Sequence, residues 1–206
     1  MPLDLWLTFV AASTALLLIP GPTVLLVLSY ALSKGRSVAV ASAAGVAVGD
    51  LVAMTASLLG LGALVLASAT AFTVLKWVGA LYLIWLGIKL IRTAPRDGLT
   101  PARDVTAGGV FSHAAAVTAL NPKSIAFFIA FVPQFIRPDA PLLPQFTLLI
   151  ATFCTLAALN ALAYALLADR LRGVIARPAI VTWLTRAGGA TLIGMGVLTA
   201  TLRRAN

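Results

Sequence analysis

Residues Ala15–Leu26 read ALLLIPGPTVLL and set two prolines and a glycine in the middle of a long apolar run. Proline inside a helix removes one backbone donor and pushes away a carbonyl one turn back. In hydrocarbon no water can satisfy the freed group, so such a break survives only where it faces protein or a wet cavity. Two questions follow: whether the chain crosses a membrane, and what the broken helix faces.

Composition answers the first. Of 206 residues, 61% are hydrophobic and 10% charged, and the mean hydropathy is +1.03; an ordinary soluble domain is excluded. Apolar segments at residues 5–32, 38–66, 70–91, 112–135, 142–168 and 179–202 are each long enough to cross a hydrocarbon core of about 30 Å as a helix. The fold expected is an all-α polytopic membrane protein of six transmembrane helices. Residues 1–8 hold Asp4 and no Lys or Arg, and the first run continues to Leu32, which argues against a cleaved signal peptide. Cys154 is the single cysteine, so no intrachain disulfide is available and metal-ligand spacing is missing; it reads as a small packing residue.

A net charge of +9 raises nucleic acid as a partner, but the charges sit between the spans. Lys34 and Arg36 follow the first span, Lys89, Arg92, Arg96 and Arg103 the third, and Arg170, Arg172 and Arg177 the fifth. The link Ala67–Ala71 is uncharged, and the link after the fourth span sets Arg137 against Asp139. This alternation follows the positive-inside rule, which places the three basic links in the cytoplasm and the N-terminus outside. Arg203 and Arg204 fall on the outer side and run against it. The partner indicated is the lipid bilayer, and no nucleic acid is expected.

The one sizeable link, Thr93–Gly109, has the Pro, Gly and charge content of a connector. It divides the chain into a first three-helix repeat (1–92), a linker (93–110) and a second repeat (111–206), together one transmembrane domain. At an offset of 109, LKWVGALYLIWLGI from Leu75 lies over LTRAGGATLIGMGV from Leu184, matching Leu75/Leu184, Gly79/Gly188, Leu83/Leu192, Ile84/Ile193 and Gly87/Gly196. At an offset of 100, Gly21-Pro22-Thr23 lies over Asn121-Pro122-Lys123. Both halves break their first helix at one place, and three spans per half require opposite orientations, which makes an inverted-topology repeat.

Depth follows from the helical rise. Pro22 lies eleven residues before Ser33 and Pro122 eleven after Phe111, so both breaks stand roughly 16 Å from the cytoplasmic surface. Discontinuous helices at matched positions commonly form substrate sites, and their half-helix ends expose N–H and C=O groups suited to the carboxylate and ammonium of a zwitterion. Asp50, twelve residues past Val38, is level with both breaks at roughly 18 Å, and a deep acid marks a substrate contact or proton relay. A static pair with Lys123 is the structural alternative. Asn160 occupies the second span of its half as Asp50 does of the other, 38 and 28 residues after the matched prolines. His113, the one histidine, reads as interfacial, and Ala41, Gly45, Gly49 and Ala53 as a small-residue stripe for close helix approach. The tryptophans and Tyr30 and Tyr82 read mostly as span-end or lipid-facing aromatics. There are no glutamates, no Gly-x-Ser-x-Gly turn and no phosphate loop, so enzyme signatures are missing, and no cofactor or metal is implied.

The segments IPGPT (Ile19–Thr23), GVAVGD (Gly45–Asp50), GALYLIWLGIKLIR (Gly79–Arg92) and LNPKSIAFFIAFVPQF (Leu120–Phe135) resemble, in order and spacing, the lysine exporter and homoserine/threonine resistance (LysE/RhtB) family of bacterial amino-acid exporters. The resemblance implies a six-helix inner-membrane transporter that expels amino acids or close derivatives by proton exchange, and dimerisation. Carried residue by residue, it supports Pro20, Gly21, Pro22, Asp50, Asn121, Pro122 and Lys123 as site positions, to which the reading of the residues adds Thr23 and Asn160. The expected site lets the half-helix ends and Lys123 hold a substrate carboxylate, while Asp50 and Asn160 meet the ammonium or carry the proton. Two rival readings stand beside it: a non-transporting membrane assembly subunit, and an intramembrane lipid-modifying enzyme working with Asp50, Lys123 and hydroxyls alone.

Overall fold

The computed structural model describes residues 1–19, 21–34, 38–67, 69–93, 106–137, 139–175 and 177–201. Pro20, Arg36, Arg96, Arg103, Arg203 and Arg204 lie outside the described residues. The described chain is all-helical: α1 (Leu3–Leu18), α2 (Pro22–Lys34), α3 (Ala39–Ala67), α4 (Ala69–Arg92), α5 (Ala107–Ala119), α6 (Pro122–Ala130), α7 (Leu142–Ile175) and α8 (Pro178–Thr201), with a 3-10 turn, Val132–Phe135, prolonging α6. α3 over Val40–Gly60 and α7 over Leu142–Ala168 are each long and apolar enough to cross a membrane. The bent pairs α1/α2 and α5/α6 pass the same test when each pair is taken as one span, with bends of 55° and 43°.

Pro22 and Pro122 open α2 and α6. At the first helical position the missing N–H belongs to a group that has no intrahelical partner anyway. The prolines thus begin new helices where the chain has already turned, and the cost falls on the carbonyls of the helix before them. The fourth segment begins earlier than its apolar run, at Ala107, because Thr106 caps α5 by accepting a hydrogen bond from the Gly109 N–H at 3.2 Å.

α4 and α8 pack along one another through glycines. A Cβ on Gly87 would stand 2.7 Å from Ile193 Cγ1 and against the Gly189 carbonyl, and a Cβ on Gly196 would stand 2.7 Å from both Ile84 Cγ1 and the Ala80 carbonyl oxygen. Each contact is the other shifted by 109 residues, the offset that aligns the two sequences. α3 lies between α5 and α7, with Gly45 and Gly49 against the backbone of α5. The small-residue stripe therefore serves α5.

Between the 3-10 turn and α7 the chain is organised by buried Gln145, which accepts from the Arg137 N–H at 2.8 Å and donates to the Arg137, Ala140 and Pro141 carbonyls at 2.9–3.2 Å. On this exposed turn the Arg137 guanidinium donates to both Asp139 carboxyl oxygens, which holds that carboxyl below its usual range. Trp77, Trp85, Trp183 and Tyr82 are exposed, as expected of lipid-facing aromatics. Tyr30 and Trp6 differ. Tyr30 is buried and its hydroxyl lies 2.7 Å from His113 Nδ1, while the half-buried Trp6 indole donates to Thr152 Oγ1 at 3.0 Å. Each ring carries a polar tip that finds a partner on a neighbouring helix.

Candidate functional site

The last turn of α1 ends without a following turn to bond its carbonyls. Ile19 N reaches back to Leu16 O at 3.4 Å, and the rest of the task falls to side chains from the other half of the chain. The Lys123 ammonium donates to Leu16 O at 3.2 Å and Ile19 O at 3.1 Å. Asn160 Nδ2 donates to Leu17 O at 3.0 Å, and the Tyr164 hydroxyl to Leu18 O at 3.0 Å. Four successive carbonyls are thus covered by three side chains. The exposed C=O groups expected at this half-helix end are present, but they are occupied.

The second break is closed largely by its own residues. Asn121 caps α6, its Oδ1 accepting from the Lys123 backbone N–H at 3.0 Å. Its own N–H donates to Thr118 O at 3.0 Å, and Leu120 N–H to Ala116 O at 3.0 Å. Asn121 Nδ2 and Thr118 Oγ1 both donate to Thr23 Oγ1, at 3.1 and 3.4 Å. Thr23, in the first turn of α2, thereby ties one break to the other.

Between the breaks lies a cavity of about 20 Å³ lined by Thr23, Asp50, Asn121, Lys123, Ser124 and Asn160 together with Leu16, Leu17, Val24, Val27, Val46, Ala157 and Ala161. That volume suits about one water molecule. Asp50 is 2% exposed, and its Oδ1 has no hydrogen-bond partner among the described residues; Ser124 lines the same cavity. Lys123 attracts Asp50 electrostatically, yet its ammonium bonds to the α1 carbonyls. Two apolar clusters flank the cavity. Along α6 and beyond it the rings of Phe127, Phe128, Phe131, Phe135, Phe153 and Phe9 contact one another with centroids 4.8–6.0 Å apart. Towards the start of α5, Tyr30, Val38 and Val110 pack together.

The sequence-derived positions Thr23, Asp50, Asn121, Lys123 and Asn160 share this one cavity. Gly21 adjoins it, since a Cβ there would stand 3.2 Å from Lys123 Nζ. Pro122 is exposed and does not line the cavity. Pro22 enters through its place at the head of α2, and Pro20 lies outside the described residues. His113 is exposed and engaged with Tyr30, away from the cavity. Ser124 and Tyr164 escaped the sequence reading. Tyr164 is one helical turn after Asn160, on the same face of α7, a spacing that could have disclosed it.

Residues 14–203 match the LysE type translocator family. The homoserine/homoserine lactone efflux protein of Salmonella typhimurium is 37% identical over 206 residues, covering both chains completely. A membrane protein of Vibrio cholerae is 34% identical over 204 residues, 98% of this chain and 100% of the relative. The leucine efflux protein of Klebsiella pneumoniae is 32% identical over 137 residues, 66% of this chain and 65% of the relative. No solved structure matches.

Proposed function

The chain belongs to the LysE type translocator family, and on that footing we propose that it exports an amino acid or a close derivative from the cytoplasm, in exchange for protons, through the cavity between the two breaks. One observation carries this reading. Polar groups from α2, α3, α6 and α7 converge on a single buried cavity that contains an acid with an oxygen unpartnered among the described residues. An intramembrane carboxyl is costly, and one kept in a cavity between broken helices is best explained by what it binds or carries. The family is one of translocators, so the lipid-modifying enzyme reading falls, and nothing favours an accessory subunit.

In the proposed architecture α1/α2, α3, α4, α5/α6, α7 and α8 make six crossings of the bacterial inner membrane as two inverted repeats, with the N-terminus outside. The reciprocal glycine contacts of α4 and α8 support the repeat. Lys34, Lys89, Arg92 and Arg177 support the orientation through the positive-inside rule. The relatives' names narrow the ligand chemistry. Homoserine, its lactone and leucine all carry an ammonium beside a carbonyl carbon, whereas the lactone lacks a free carboxylate. The ammonium is the shared handle, and Asp50, Asn160 and the α1 carbonyls are the acceptors nearest to hand.

Proteoliposomes of phosphatidylethanolamine and phosphatidylglycerol, loaded with labelled L-homoserine, homoserine lactone or L-leucine and placed in acidic buffer, should release at least one of them faster than at equal pH. Asp50→Asn should abolish the gradient-dependent part at unchanged membrane content. Gradient-driven efflux by Asp50→Asn at the wild-type rate removes the assigned proton role, and no efflux of any amino acid by the wild type removes the export reading.

A further inference from the structure

The Lys123 side chain reaches across from α6 to the carbonyl end of α1, beside the cavity. It is 8% exposed, lies over Gly21, and donates to Leu16 O and Ile19 O. A lysine ammonium and a substrate α-ammonium are the same chemical group, a compact cation with three N–H donors. A cradle of helix C-terminal carbonyls, with a carboxylate opposite, fits either one. Resting on the export reading above, we propose that the Leu16 and Ile19 carbonyls are the site of the substrate's ammonium, and that Lys123 occupies it as a tethered stand-in until substrate displaces it.

The independent observation is Asp50. Asp50 lines the same cavity, and its buried Oδ1 has no partner among the described residues, so it is open to receive the displaced ammonium. A flexible four-carbon stem permits the swing. The exchange leaves the charge at the carbonyls unchanged, since one ammonium replaces another. It also keeps every carbonyl of the α1 end bonded when no substrate is present, which in an apolar setting avoids a costly unsatisfied group. The roughly 20 Å³ cavity is then what remains beside the stand-in.

The test uses purified full-length protein in nanodiscs. Lys123→Ala vacates the cradle, and methylammonium should raise its melting temperature by about 3–5 °C, the shift expected of a ligand at about ten times its Kd on a chain of this length. Wild type should not respond, and tetramethylammonium, which has the charge but no N–H donors, should do nothing to either protein. An equal response to both cations, or none to methylammonium, overturns the stand-in. Lys123→Gln keeps amide donors for the carbonyls and so protects the fold if Lys123→Ala is lost. Its neutral amide should yield to homoserine lactone more easily than an ammonium does, tightening the apparent Kd about tenfold. Unchanged or weaker binding of the lactone by Lys123→Gln overturns the proposal as well. Rescue by methylammonium in a protein that exports no amino acid would retain the cradle and remove the export reading, so the two fail separately.

Discussion

The two broken spans are held by different means. The first segment of the second span, α5, is gripped by glycines of α3. A Cβ on Gly49 would stand 2.6 Å from the Ala115 carbonyl oxygen and 2.7 Å from Thr118 Cβ, and one on Gly45 would stand 2.9 Å from Ala114 Cβ. The first segment of the first span, α1, sets Phe9 and Leu16 in the apolar core and is tied down besides by polar side chains: Trp6 on Thr152, and Asn160, Tyr164 and Lys123 on its last carbonyls. At the offset of 110 that puts Asp50 on Asn160, the α7 counterparts of Gly45 and Gly49 are Thr155 and Leu159, and both are exposed. Backbone packed on backbone cannot be traded for anything without parting the helices. A hydrogen bond to a carbonyl can be traded for one to water or ligand at small net cost. The end of α1 is therefore the exchangeable wall of the cavity, whereas α5, which does not line it, is fixed against α3.

Substitutions that break this contrast should rank by how irreplaceable each contact is. Gly49→Val should do most damage, about 3 kcal/mol or more through overpacking, seen as early melting in detergent. Leu159→Val at the matching place in α7 should stay within about 0.5 kcal/mol, and equal melting of the two would erase the distinction. Asn160→Leu comes next, leaving Leu17 O bare at about 1–2 kcal/mol and stopping homoserine efflux from proteoliposomes; wild-type efflux would move Asn160 out of the site. Asn121→Ala removes a helix cap at about 1 kcal/mol, again read by melting. Tyr164→Phe should cost about 0.5 kcal/mol, because the bond to Leu18 O is exposed and neither residue lines the cavity; a larger loss than for Asn160→Leu would reverse the order. Smallest is Asp139→Asn on the exposed turn. A carboxyl held low by Arg137 contributes stability above its unfolded pKa and loses it as pH falls. The melting difference from wild type should therefore vanish well below about pH 4, and a difference that grows with acid would show that the pair is not its cause.

Much of this arrangement is legible in the residue order. The helices follow the six apolar segments but overrun several of their ends, the breaks fall at Pro22 and Pro122, and Asp50, Asn121, Lys123, Asn160 and Thr23 meet at one cavity. The matched glycines Gly87 and Gly196 lie in the α4–α8 contact, which the matching itself does not foretell. What the sequence conceals is the partner of each group. Lys123 is a cation on paper, and nothing in its neighbours tells that it bonds to carbonyls rather than to Asp50. Those carbonyls belong to Leu16 and Ile19, whose side chains are apolar, and backbone acceptors leave no mark in an alphabet of side chains. The partner of Gly45 and Gly49 is hidden for the same reason, since a small-residue stripe tells that a helix approaches closely without saying which one.

The seam between α4 and α8 has a further consequence, in side-chain freedom. Gly87, Gly189 and Gly196 have no rotamers to lose, so their contact is formed without the ordering cost that long side chains carry. The cavity is lined in part by Lys123 and Asn160, which have several rotamers each. The glycine side of the seam is thus formed without side-chain ordering, whereas the cavity holds Lys123 and Asn160 ordered by hydrogen bonds, and heating should loosen those side chains before it parts the seam.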